Sequence, residues 1–217
     1  MKRNIGVIIL IALLAIPLAW VILWKNTQFG YKELPVYTTN EMGVEVPYTI
    51  DSFKLYDQNG NMFTRDSIGD RIFISNFFFA TCPDICPKLN GNVKIATQKL
   101  ENSTDVLFLS HTVDPYNDTV DALRAYADKF EANDDQWKFL TGRKSTIYHL
   151  ATESYKCAVQ EVPDTNSFIH CETVMLVDKD FRVRGIYDGL DIKSMLDLVE
   201  DARFLLKTYK DQEAKKR

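Results

Sequence analysis

The sequence predicts an α/β domain with a mostly parallel sheet covered by helices on both faces and an N-terminal β-hairpin, preceded by a single transmembrane helix. Three observations carry this. Residues 4–24 hold 18 hydrophobic side chains in 21 positions and no charge. From residue 71 to residue 150, short apolar runs alternate with stretches of helical period. An Asp-Gln-Asn-Gly turn at residues 57–60 joins two short alternating stretches.

The first segment is long enough to cross a bilayer as one helix, which takes ~20 residues. Trp20 and Trp24 suit the far interface, and Lys2 and Arg3 hold the start in the cytoplasm. A cleaved signal peptide has an apolar core of only ~7–15 residues ending at a small-residue site, and neither feature follows Trp24. The expectation is a single-pass protein of the bacterial inner (cytoplasmic) membrane. Residues 1–25 are its anchor, 26–46 a linker, 47–209 the folded domain on the periplasmic side and 210–217 a basic tail. Export changes the meaning of every later cysteine, because thiols in an oxidising compartment become disulfides, metal ligands or redox pairs.

Gly30, Pro35 and Gly43 punctuate the linker, and folding is expected to begin near Pro47. Residues 49–56 and 62–64 form the hairpin. Residues 71–79, rich in Ile and Phe, read as a central strand covered on both faces, and a helical pattern then runs to about Leu100. Residues 106–112 make the next buried strand. Asp118 or Thr119 caps a helix through Leu123, Tyr126 and Phe130. Residues 137–140 form a short strand, and Ser145 opens a helix through Leu150. Residues 156–162 and 167–177 are expected as two strands around a turn at 163–166, with 181–188 returning alongside. Asp191 caps a final helix that carries Ile192, Met195, Leu196, Val199, Ala202 and Leu206 on one face.

Charge narrows the function. Residues 26–206 hold 18 basic and 28 acidic side chains, a balance that disfavours nucleic-acid binding. The nine glycines are scattered singly without a phosphate-cradling loop, so nucleotide chemistry has no foothold.

Cys82 and Cys86 lie four apart where a buried strand gives way to a helix, so helical geometry puts both sulfurs on one face. A helix N-terminus favours negative charge, so the position is expected to lower the thiol pKa. Such a pair can chelate a soft ion such as Cu(I) or exchange disulfides. A stapling disulfide is the bland alternative, but a loop this short gains little by closing. Structural zinc needs a further pair of ligands.

The run 77–87, Phe-Phe-Phe-Ala-Thr-Cys-Pro-Asp-Ile-Cys-Pro, resembles the C-x-x-x-C-P signature of the SCO/SenC family, membrane-anchored thioredoxin-like copper proteins that help assemble cytochrome c oxidase. Val113-Asp114-Pro115 with Asp118-Thr119, then Tyr126 through Phe130, and Leu140-Thr141-Gly142 follow in the family's order, and the likeness spans roughly residues 46–204. It implies a thioredoxin-like fold and one copper ion held by Cys82, Cys86 and a distant histidine. By position His170 is that histidine, although Ile169 and Cys171 stand where the family has Asp and Ser. Without the resemblance, His111, His149 and His170 remain equal candidates.

The resemblance also implies the partners, which are the copper-accepting subunit of cytochrome c oxidase and an upstream copper donor or thiol reductant. The alternative function is a thiol–disulfide oxidoreductase acting through Cys82 and Cys86 on an oxidase subunit or another exported protein. A peroxidase is disfavoured, since Phe79 and Ser75 occupy the threonine and proline places of the Pro-x-x-x-Thr-x-x-Cys pattern. Cys157 and Cys171 lie outside the family signature. A hairpin centred on Asp164 sets these two directly opposite each other, within disulfide reach, and turns Cys171 away from the face of His170. They are expected to form a structural disulfide that braces the histidine-bearing hairpin.

Overall fold

The computed structural model describes residues 15–17, 20, 34–41, 44–157, 160–162, 167–169 and 171–216. The chain divides into two compact units, Met1–Glu33 and Leu34–Arg217. In the first unit the structure overturns the expected transmembrane helix: among the described residues no helix is long and apolar enough to cross a membrane. Of the apolar segment only Ala15, Ile16, Pro17 and Trp20 are described, as exposed helical residues, and the rest lies outside the described residues. A run of apolar side chains reports hydropathy and does not by itself fix a helix.

The second unit begins earlier than the sequence suggests. Strands β1 (Thr38–Glu41) and β2 (Val44–Pro47) pair antiparallel inside the stretch expected as a linker. Leu34 is buried, and the Tyr37 N–H donates to the Val183 carbonyl at 3.1 Å. Local period could not reveal this, because the partner lies far along the chain. Strands β3 (Lys54–Tyr56) and β4 (Met62–Thr64) form the next hairpin. In its turn Asp57 Oδ1 accepts from the N–H groups of Asn59 and Asn61, and Gly60 takes φ 75°. A single helical turn, α1 (Arg65–Ile68), follows.

The core is a five-stranded sheet with order β11-β10-β5-β6-β7. Strands β5 (Ile72–Phe78), β6 (Val106–Thr112) and β7 (Trp137–Leu140) run parallel. Every residue of β5 and β6 is buried, as a strand covered on both faces requires. Their connections are α2 (Ile85–Lys99) and α3 (Val120–Lys129). After β7 comes α4 (Lys144–His149), which continues as a π-helical turn, Leu150–Ser154.

A small separate hairpin, β8 (Gln160–Val162) and β9 (Ser167–Ile169), precedes β10 (Thr173–Val177) and β11 (Val183–Asp188). Strand β10 joins β5 and β11 antiparallel. The stretch 167–177 is therefore two strands, not one. The register also differs from expectation by one residue, since Glu161 pairs with Phe168. The closing helix α5 (Ile192–Lys216) continues through the stretch expected as a separate basic tail. Asp191 caps it, accepting from the Lys193 and Ser194 N–H groups.

Candidate metal centre

In parallel register Phe78, the last residue of β5, stands beside Thr112, the last of β6, so the loops that follow both strands leave the same edge of the sheet. One chain direction from β5 leads to β6 and the other neighbour is the returning β10. Open α/β sheets bind ligands at the carboxyl ends of strands beside such a switch. The loop after β5 carries Cys82 and Cys86. The Cys82 N–H donates to the Phe79 carbonyl at 3.2 Å, which folds the loop back ahead of α2. Cys86 lies in the first turn of α2, and its N–H donates to Cys82 Sγ at 3.4 Å. The first sulfur thus accepts from a helix N-terminal amide that would otherwise lack a partner. Neither cysteine is in a disulfide.

Burial decides the chemistry of the second thiol. Cys86 is 0% exposed, and desolvation pushes its pKa well above the ordinary thiol range. A hydrogen bond from the Phe79 backbone opposes the rise, while Cys82 and the charge of Asp118 add to it. The expectation that the helix terminus lowers this thiol is therefore overturned. Metal binding at Cys86 must release a proton, since the thiolate is the ligand form.

Asp118 has a part that cap chemistry did not reveal. Thr119 takes the cap of α3, accepting from the Ala122 N–H at 3.3 Å. Asp118 is 1% exposed and turns inward, where Oδ2 accepts from the Ala80 N–H at 3.0 Å and from the Thr112 hydroxyl. One carboxylate thus ties the cysteine loop to the end of β6. Burial raises its pKa, and the two donors oppose that rise. The sequence marked it only as a possible cap and, with Thr119, as part of the family-like run after Val113-Asp114-Pro115.

Among the described residues no group of three His, Cys, Asp or Glu side chains is placed to hold a metal ion, so neither His111 nor His149 completes a site with the cysteines. His149 is exposed and lies 3.6 Å from the Asp51 carboxylate. His111 is fully buried among Phe53, Phe77 and Tyr155, whose rings lie 6.1, 5.2 and 5.6 Å away, and neither of its nitrogens has a hydrogen-bond partner. Burial lowers its pKa from 6.5 to about 3. The folded state keeps this imidazole neutral while the unfolded chain takes up a proton. Stability is therefore expected to fall as pH drops from 6.5 towards 3, by about 1.4 kcal/mol per pH unit from this group. His111→Phe should flatten that slope in denaturant titrations at stepped pH, and an unchanged slope would contradict the assignment.

His170 lies outside the described residues. Its neighbours in sequence are anchored. Cys171 is disulfide-bonded to Cys157, with Cα atoms 5.5 Å apart. Both cysteines lie beyond the ends of the β8–β9 ladder, so the bond does not depend on the hairpin register. The Cys157 N–H donates to the Ala151 carbonyl at 2.7 Å. On the other side, the Gly189 N–H donates to the Glu172 carbonyl at 2.8 Å, and Asn92 of α2 donates to the Gly189 carbonyl at 2.9 Å. A Cβ at Gly189 would stand 2.6 Å from the Glu172 oxygen and 3.0 Å from the Leu89 side chain, so only glycine allows this approach. The chain at Glu172 is thereby tied, through Gly189, to Asn92 of the helix whose first turn carries Cys86.

Comparison with known proteins agrees with this geometry. The family model described as SCO1/SenC matches residues 44–203. The SCO1 protein homolog of Bacillus subtilis (strain 168) is 28% identical over 158 residues, 72% of this chain and 82% of that protein. BsSco, described as a member of the Sco family of cytochrome c oxidase assembly proteins with a disulfide switch, superposes with TM-score 0.64 at 29% identity, over 72% of this chain and 92% of its own. Arabidopsis thaliana ScoI with copper bound superposes with TM-score 0.62 at 27% identity, over 71% and 98%.

Proposed function

The chain belongs to the SCO1/SenC family, and on that footing we propose that it is a copper chaperone, taking one copper ion through Cys82, Cys86 and His170 and passing it to the copper-accepting subunit of cytochrome c oxidase. The observation that carries the reading is the paired sulfurs at the start of α2, with the Cys86 N–H on Cys82 Sγ. Two thiolates and an imidazole form a three-coordinate set that suits Cu(I) and admits a further ligand for Cu(II). The copper-bound ScoI relative supports the cargo, and BsSco supports the assembly role. The link from Glu172 through Gly189 to Asn92 of α2 supports His170 as the third ligand. The Cys157–Cys171 bond supports an oxidising, extracytoplasmic compartment.

Disulfide exchange with a partner's cysteines is the second reading, favoured by two thiols outside any disulfide with the Cys86 N–H on Cys82 Sγ. Stoichiometric titration of the reduced protein with Cu(I) and Cu(II), alongside reduction of a disulfide substrate, separates the two. Copper at one ion per chain with negligible reductase activity supports delivery, and the reverse supports exchange. His170→Ala is expected to weaken copper binding and to change the visible thiolate-to-Cu(II) bands. Unchanged affinity and bands would remove His170 from the ligand set.

A further inference from the structure

The loop after β6 puts an aromatic ring into solvent on a hydrogen-bonded turn. The Asp114 N–H donates to the Thr112 hydroxyl at 3.0 Å, the Asn117 and Asp118 N–H groups donate to the Asp114 carbonyl at 3.2 and 2.9 Å, and the Asn117 side chain donates to Asp114 Oδ2 at 2.8 Å. The Asp118 carboxylate then ties the loop to Ala80, two residues before Cys82. Inside this turn Tyr116 is 76% exposed. One exposed ring means little by itself, and its company is what gives this one a use.

Leu140, the last residue of β7, stands beside His111 near the end of β6, so the loop after β7 leaves the same edge of the sheet. It brings two cations to the ring. Lys144 Nζ lies 5.5 Å from the centre of the Tyr116 ring and 5.2 Å from that of Tyr148. Arg143 is exposed, and among the described residues no carboxylate pairs with it. Pro115, Tyr116, Gly142, Arg143, Lys144 and Ser145 line an open cleft of about 400 Å³. The loop's own acids do not neutralise it, since Asp114 and Asp118 are 5% and 1% exposed and turned to Asn117, Ala80 and Thr112. Tyrosine and arginine are the side chains that most often anchor protein interfaces.

We propose that this cleft docks an acidic segment of the protein that the cysteine pair serves, with a partner carboxylate on Arg143 and Lys144 and an apolar side chain against Pro115 and the Tyr116 ring. The inference rests on the reading of Cys82 and Cys86 as a pair that acts on a partner protein. Residues 26–206 hold 18 basic and 28 acidic side chains, so an acidic partner is repelled over most of this surface and attracted at the cationic edge. That contrast sets orientation as well as affinity, and it turns the cysteine loop towards the partner. Tyr116 gives up little freedom on binding, because its turn is already hydrogen-bonded.

The full chain is titrated with the copper-accepting oxidase subunit and, separately, with the peptide Glu-Glu-Leu-Glu-Glu as a probe of the cleft alone. Arg143→Glu combined with Lys144→Glu is expected to weaken subunit binding about tenfold at low salt, with the difference fading by about 0.5 M salt as the charges are screened. Tyr116→Ala is expected to weaken it about tenfold at every salt concentration. Both variants keep the wild-type copper affinity and unfolding midpoint, whereas a merely structural role lowers the midpoint. In amide NMR spectra the peptide shifts Tyr116, Gly142 and Lys144, and the charge-reversed variant loses the effect. Peptide shifts that leave these three amides in place, or subunit binding indifferent to all three substitutions, would overturn the proposal. Anionic phospholipid vesicles bound through the same residues, with no response to the peptide, would overturn it in favour of a lipid surface. If the subunit does not bind the wild-type chain, the reading of the partner fails while the peptide titration still decides the cleft.

Discussion

Cys86→Ser is expected to reduce Cu(I) affinity by more than about 100-fold, beyond the loss usual when only a supporting residue is removed. The serine hydroxyl is a hard donor that does not replace thiolate for a soft ion. Cys82→Ser should lose as much, since two thiolates form the soft part of the proposed site and neither substitutes for the other. Competition with a chromophoric Cu(I) chelator reads the loss. The two substitutions should differ in stability. Cys86 is fully buried, and a hydroxyl there that fails to find a good partner costs roughly 1–3 kcal/mol, whereas Cys82, buried but 9% exposed, sits between exposed Thr81 and Pro83 in the turn ahead of α2. Wild-type copper affinity in either variant would remove that cysteine from the site.

The double substitution Cys157→Ser with Cys171→Ser is expected to lower unfolding free energy by about 3 kcal/mol, the loop-closure contribution for a bond spanning 14 residues. Urea unfolding of the oxidised protein, compared with the variant under the same conditions, measures it. The bond ties Cys171, which adjoins the proposed ligand His170, to a residue hydrogen-bonded to Ala151 within the π-helical turn. Copper affinity should therefore fall in the variant together with stability. Matching midpoints for variant and wild type would show that the bond contributes nothing in solution. A loss of stability with full copper affinity would separate the brace from the site.

The cysteine pair and the central strands were legible because their signals are local. An Ile- and Phe-rich run over 72–78, broken only by Ser75 and Asn76, marks a strand buried on both faces, and Cys82 and Cys86 announce themselves by spacing at a strand–helix boundary. Thr119 was one of two possible caps, and only packing sent Asp118 inward. The π-helical turn at Leu150–Ser154 has no sequence mark, since its hydrogen bonds differ from those of an α-helix by a single residue in register. His111 shows how residue type misleads. On paper it was a candidate ligand, and the fold uses it as a neutral ring among aromatics.

The sequence by itself determined the alternation of strand and helix, the location of the Cys82–Cys86 pair and the family resemblance, since each depends on residues close along the chain. Tertiary structure decided the rest. Among the described residues no helix is long and apolar enough to cross a membrane, and the second unit begins at Leu34, where backbone bonds such as Tyr37 to Val183 join segments distant along the chain. Tertiary structure also set the character of Cys86. A helix terminus acts through a partial charge that sequence position reveals, but desolvation depends on every segment that covers the thiol, and here the covering outweighs the dipole.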